Sequence, residues 1–156
     1  MLKAIDAEAL DRDVEGRKER SSFPGEVGVV TAVAFSPDGA LLALGGSVAG
    51  IRLLSTADWK EKARLPGHEE RITGLAFSPS GKALASGSED RTAKVWDVAQ
   101  RKEKATLQGH ANHVLCLTYG KDDRTLFTGS RDGTVRVWNT DEGKEQKTIK
   151  AEQPPS

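Results

Sequence analysis

Two groups of side chains in this sequence have the composition of a hydrolytic centre: Ser86, His68 and Asp90, and again Thr128, His110 and Asp132. A hydroxyl nucleophile, an imidazole base and a carboxylate that orients the imidazole are what acyl transfer by a triad requires. Ser88 and Ser130 are alternative hydroxyl members. Each group comes with its own tryptophan, Trp96 or Trp138, and a catalytic pair is not expected twice in one chain. Metal chemistry has less support. His110 and His113 are three apart, which suits a metal ion on a helix, but they fall in a loop and at a strand start with no third ligand beyond Asp132. No metal site and no cofactor are expected. Gly45, Gly46 and Gly50 lack the following Gly-Lys-Ser/Thr and helix of a phosphate loop and read as turn glycines.

The elements that position these residues belong to a chain of 156 residues, a length that fits one domain. Its 23 basic and 23 acidic residues leave no net charge, so no global field draws it to nucleic acid or to an anionic membrane, and neither is an expected partner. Cys116 is the single cysteine, which rules out an intrachain disulfide and a cysteine-based zinc site and suits a reducing compartment. The first ten residues carry Asp6 and Glu8 and lack the apolar core of a signal peptide, and no apolar run reaches the ~18 residues of a membrane span. The expected location is the cytoplasm.

The sequence repeats. Val33-Ala34-Phe35-Ser36-Pro37 returns 42 residues later as Leu75-Ala76-Phe77-Ser78-Pro79, and more weakly as Leu117-Thr118-Tyr119-Gly120-Lys121. Gly67-His68 becomes Gly109-His110, Ser88-Glu89-Asp90 becomes Ser130-Arg131-Asp132, and Val95-Trp96-Asp97 becomes Val137-Trp138-Asn139, all without a gap. In the first strand of each repeat the larger residues are Val33, Leu75 and Leu117 with Phe35, Phe77 and Tyr119, alternating with the mostly small Ala32, Gly74 and Cys116 and Ala34, Ala76 and Thr118. Apolarity on both faces predicts a sheet enclosed between two neighbours. By its column, Cys116 is expected to be a packed, inert core residue. Ser36-Pro37-Asp38-Gly39 and Ser78-Pro79-Ser80-Gly81 fit a type I turn closing the first hairpin. Gly120-Lys121-Asp122-Asp123 does not, so a looser turn is expected there.

A period of ~40–45 residues with Gly-His near its start and Trp-Asp near its end resembles the WD40 family of β-propellers. The implied fold is all-β: three four-stranded antiparallel blades at about 25–66, 67–108 and 109–150, within a repeat domain over 18–150. An extra N-terminal outer strand is expected near 18–23. Residues 1–17 read as an extension, weakly helical or disordered, and 151–156 as a disordered tail. Closed propellers have ~4–8 blades, so the chain is a partial or open propeller unless oligomerisation completes it. A fragment of a longer protein, a ring of two or more chains and an open array with covered ends all remain open.

The resemblance also implies a role for the two triads. His68, Ser86, Asp90 and Trp96, and His110, Thr128, Asp132 and Trp138, would be buried hydrogen-bond networks that lock their blades. The first repeat has Glu26, Leu44, Val48 and Leu54 at the corresponding places and can form no such network. Arg52, Lys94 and Arg136 share one column, either as a basic stripe or as alternating solvated positions. Propeller loops converge on one face, and here they carry Ser47, Glu69, Glu70, Arg71, Glu89, Asn112, His113 and Arg131, a polar set suited to peptide recognition. Arg71 and Arg131 are the first choices as anchors. Trp59, on the opposite rim, is a candidate exposed anchor. The expected function is a non-catalytic scaffold for protein–protein interaction. The alternatives are a fragment or regulatory propeller of a larger multidomain signalling enzyme, or a hydrolase using a Ser/His/Asp set.

Overall fold

The computed structural model describes residues 28–48 and 50–151. The outer strand expected near 18–23, the extension over 1–17, Glu26 and most of the C-terminal tail lie outside the described residues. Twelve strands follow one another: β1 (Val30–Phe35), β2 (Leu41–Gly46), β3 (Ile51–Ser55), β4 (Glu61–Leu65), β5 (Ile72–Phe77), β6 (Ala83–Ser88), β7 (Ala93–Asp97), β8 (Lys102–Leu107), β9 (Val114–Tyr119), β10 (Thr125–Ser130), β11 (Thr134–Asn139) and β12 (Lys144–Lys150). They form three four-stranded antiparallel sheets in chain order, β1 to β4, β5 to β8 and β9 to β12. The chain is all-β over the described residues, as the repeat predicts.

Turn chemistry starts each sheet. Ser36 O accepts from Gly39 N at 2.9 Å, and Ser36 Oγ accepts from Leu41 N at 3.0 Å while donating to Asp38 Oδ1 at 2.6 Å. Gly39 adopts φ 73°, a value open to glycine at little cost. The second sheet repeats this through Ser78 and Gly81. In the third, Asp122 Oδ1 accepts from Arg124 N at 2.9 Å and Thr125 N at 2.8 Å, and Asp123 Oδ1 accepts from Ser80 N at 3.1 Å. The turn expected to be looser is thus tied by two aspartates, one of which fastens it to the neighbouring sheet.

Packing places β5 against β1 and β2, and β9 against β5 and β6. One core lies between the first two sheets, with Ala43, Ile51, Leu53 and Leu65 meeting Ile72, Leu84 and Trp96. The next repeats it one period on, with Ala85, Ala93, Val95 and Leu107 meeting Leu126 and Trp138. The middle sheet is enclosed on both sides, and every residue of β6 is buried. The outward face of the third sheet is open: Val135 and Ile149 are 39% and 44% exposed, and Cys116 is exposed. Cys116 is therefore not the packed core residue its column predicts. Ala32 and Gly74 in that column each have a following sheet, and Cys116 has none among the described residues.

Candidate functional site

The strands bring the two triads together as their spacing requires. His68 sits in the loop before β5, Ser86 in the middle of β6, Asp90 in the turn after it and Trp96 in β7. His68 Nδ1 lies 2.8 Å from Asp90 Oδ2, His68 Nε2 lies 2.7 Å from Ser86 Oγ, and Trp96 Nε1 donates to the same oxygen at 3.0 Å. In the third sheet the distances are 2.9 Å from His110 Nδ1 to Asp132 Oδ2, 2.6 Å from His110 Nε2 to Thr128 Oγ1, and 2.8 Å from Trp138 Nε1 to Thr128 Oγ1. An ionised carboxylate only accepts, so each histidine carries its hydrogen on Nδ1 and donates it to the aspartate. Nε2 then accepts the hydroxyl hydrogen, and the hydroxyl oxygen accepts from the indole, so every side-chain polar atom linking these residues has a partner.

These are the bonds of a triad, but the hydroxyl cannot reach a substrate. Ser86 and Thr128 have no exposed surface, and one lone pair of each is taken by a tryptophan. A polar hollow of about 260 Å³ beside the first network is lined by Glu69, Asp90, Thr92, Lys94, Thr106 and neighbours and does not reach Ser86. Burial pushes the Asp90 carboxyl up in pKa, but hydrogen bonds from His68 and Thr92 outweigh it and hold the group well below the usual carboxylate range. For Asp132, burial is likewise outweighed by hydrogen bonds from Thr134, His110 and the Ala111 amide. Ser88 and Ser130 do not stand in as hydroxyl members. Ser88 Oγ donates to Arg71 O at 2.9 Å, and Ser130 Oγ donates to Asn112 O at 3.2 Å.

In the first sheet Leu44 and Leu54 replace the network and pack with Leu42 and Trp59. Trp59 is 5% exposed, so it is not the rim anchor that its loop position predicts. Its backbone takes φ 59°, and its amide donates to Ser55 O at 2.8 Å, which turns the ring back over the sheet. The column of Arg52, Lys94 and Arg136 is no basic stripe either. Each cation pairs with the glutamate of the adjoining outer strand, Arg52 with Glu61 at 2.9 Å, Lys94 with Glu103 at 2.7 Å and Arg136 with Glu145 at 2.8 Å.

The loop residues are displayed by a repeated backbone clasp. Ser47 N donates to Val29 O, Glu89 N to Arg71 O and Arg131 N to His113 O, each at 2.9 Å. Each turn between second and third strands is thereby pinned to the loop that leads into the first strand. Glu69, Glu70, Arg71 and Arg131 are exposed, while Ser47, Glu89, Asn112 and His113 are half-buried. Asn112 Oδ1 accepts from His113 N at 2.8 Å. Arg71 lies 3.8 Å from Glu89, and the side-chain ligand atoms of Glu70, Glu89 and His113 all fall within 4.8 Å of one another. Two carboxylates and an imidazole from two sheets therefore converge, a grouping that the spacing of His110 and His113 does not suggest. His110 is committed to Asp132 and Thr128 and takes no part in it. Ser47 and Arg131 are not members of that cluster and sit in the turns of the first and third sheets, Arg131 being clasped through its amide to His113 O.

The family described as WD domain, G-beta repeat matches residues 17–50, 59–97 and 101–139. No curated protein matches the chain. Among solved structures, that of U3-55K superposes with a TM-score of 0.77 at 24% identity, covering 80% of this chain and 40% of that one, so the chain spans less than half the length of that protein. The spaced Gly-His and Trp-Asp/Asn pairs, the three sheets in chain order and three matches that together span more than half of the sequence place this chain in the WD40 repeat family.

Proposed function

We propose that the chain is a non-catalytic interaction scaffold whose loop face binds a polar, charged segment of another protein. The observation that carries this reading is the clasp of Glu89 to Arg71 and of Arg131 to His113, which fixes backbone while leaving charged side chains displayed. A pinned loop loses little conformational entropy on binding, which favours recognition by preorganisation. Glu69, Glu70 and Glu89 would take basic side chains of the partner, and Arg71 and Arg131 acidic ones. The buried hydroxyls of Ser86 and Thr128 speak against a hydrolase. An exposed Cys116 suits a reducing cytoplasm, where a thiol survives unpaired.

The test is a charged peptide array probed with the full chain and with Arg71→Glu/Arg131→Glu. Binding to a defined peptide set that the double variant loses, at unchanged thermal stability, is the expected result. Equal binding by both proteins would place the partner elsewhere.

A further inference from the structure

Both junctions between sheets are keyed in the same way. Gly45 in β2 leaves room that Ile72 of the second sheet fills, with Ile72 Cγ2 only 2.6 Å from where a Cβ would stand. One period on, Gly87 in β6 is met by Val114 Cγ1 at 2.8 Å and Leu117 Cδ2 at 3.0 Å. Ile72 and Val114 are completely buried by this insertion. One further period on stands Gly129 in β10, and the atom found near its Cβ position is Sγ of Cys116 in its own sheet. Beside it lies an apolar cavity of about 290 Å³ lined chiefly by Cys116, Thr118, Phe127, Gly129 and Val135.

The opposite end of the array carries the matching side chains. Val30 stands one period before Ile72 and is 44% exposed; Val33 and Phe35, at 59% and 50%, correspond to Leu75 and Phe77, which pack into the first junction. The outer part of that face is closed by Leu42, Leu44, Leu54 and Trp59, so the exposed apolar residues of β1 are those that an inner-strand junction uses. The described residues thus make one junction twice and present both halves of a third, with no described residue engaging either half.

We infer that a second copy of this chain docks head to tail, with Val30 of one copy seated over Gly129 of the other and Val33 and Phe35 against β9 and β10. Two such junctions close two chains into a ring of six sheets, within the ~4–8 of closed propellers. The contact is heterologous, and such contacts give rings when the rotation closes. One element of the internal junction is missing. Thr31 Oγ1 donates to Ile72 O, and Thr73 Oγ1 to Val114 O at 2.5 Å, whereas the third sheet has Leu115, 48% exposed, in that column. The junction between copies exchanges this hydrogen bond for apolar contact and is the one that opens on dilution.

The experiment uses the full chain, with solution mass by light scattering and the reactivity of Cys116, its single cysteine, towards an aromatic disulfide reagent. Twice the chain mass at high concentration, with Cys116 protected there and reactive on dilution, is expected. Val135→Glu spoils the socket and Val33→Glu the key, both at exposed positions, and Leu115→Arg is a second socket variant. Each variant alone should fall to the mass of one chain. Mixing Val135→Glu with Val33→Glu should restore a two-chain species, since the first keeps an intact key and the second an intact socket. A single-chain mass at every concentration, with Cys116 always reactive, overturns the proposal. So does a dimer that Val33→Glu leaves intact and Val135→Glu abolishes, because that pattern belongs to a socket-to-socket contact.

Discussion

Ser86 Oγ takes part in two buried hydrogen bonds, and removing it strands both partners. In Ser86→Ala the Trp96 indole N–H and His68 Nε2 lose their partner inside a site with no exposed surface. A cost of ~1–3 kcal/mol is expected, read as a lower midpoint of chemical denaturation. Ser86→Thr should cost much less, because Thr128 makes the same bonds in the third sheet. The two aspartates contribute to the acid limit. Both have folded pKa values depressed below the ordinary ~3.9, so their contribution is complete above that value and is lost as pH falls through it towards the folded value. Stability should therefore fall below about pH 4, and Asp90→Asn should flatten that fall in a denaturation series against pH. An unchanged slope in the variant would assign the acid limit to other carboxylates. The members of these networks stand out in the sequence because they recur at the repeat period, and their role in locking the blades is what the resemblance to WD40 repeats implies. Glu70, Glu89 and His113 were legible only as a general loop face, because their convergence crosses from one sheet to the next and no member repeats.

At the scale of the strand and turn, the unit of sequence and the unit of structure are out of step. The match over 59–97 takes in β4 of the first sheet with β5, β6 and β7 of the second, and that over 101–139 takes in β8 with β9, β10 and β11. Each sequence repeat therefore donates its outer strand to one sheet and its other strands to the next. The strands themselves could be read from alternation and turn residues. The cation–glutamate pairs are not part of that reading, although Glu61, Glu103 and Glu145 repeat at the same period as the basic column they neutralise. The fate of Trp59 could not be read so. Its loop position suggests solvent, and only the left-handed backbone at that residue, together with the leucines that replace the network at positions 44 and 54, turns the ring inward. Trp59→Ala should accordingly destabilise by ~3–5 kcal/mol, as for other buried aromatics. Val48→Ala, on a side chain 55% exposed in the turn between β2 and β3, should stay within about 0.5 kcal/mol. Parallel thermal and chemical melts of the two variants check the contrast.

Across the whole molecule, each sheet packs against its neighbour in sequence, so stability is a sum of sheet and junction terms, as in other repeat proteins. The middle sheet has two junctions, and amide hydrogen exchange should find β6 and β7 the most protected strands, with β12 opening first, since all seven of its residues are exposed. Protection spread evenly over the three sheets would mean that the array opens only as a unit. The three sheets of the described residues were legible from the period. That the face carrying Cys116 and Val135 is exposed was not, because exposure depends on what packs beside a residue, and a repeat column carries no record of that.

The order of the strands has a bearing on synthesis. Hairpins joined in chain order, with no crossover, need nothing downstream of themselves to form. As the chain leaves the ribosome, β1 to β4 can close before β5 has been made, and each later sheet can condense on a template already in place. The main contacts between elements reach no further than the adjoining sheet, which favours N-terminal-first folding. Each sheet emerges with one apolar face uncovered until the next condenses on it, so exposure to aggregation recurs with every sheet made.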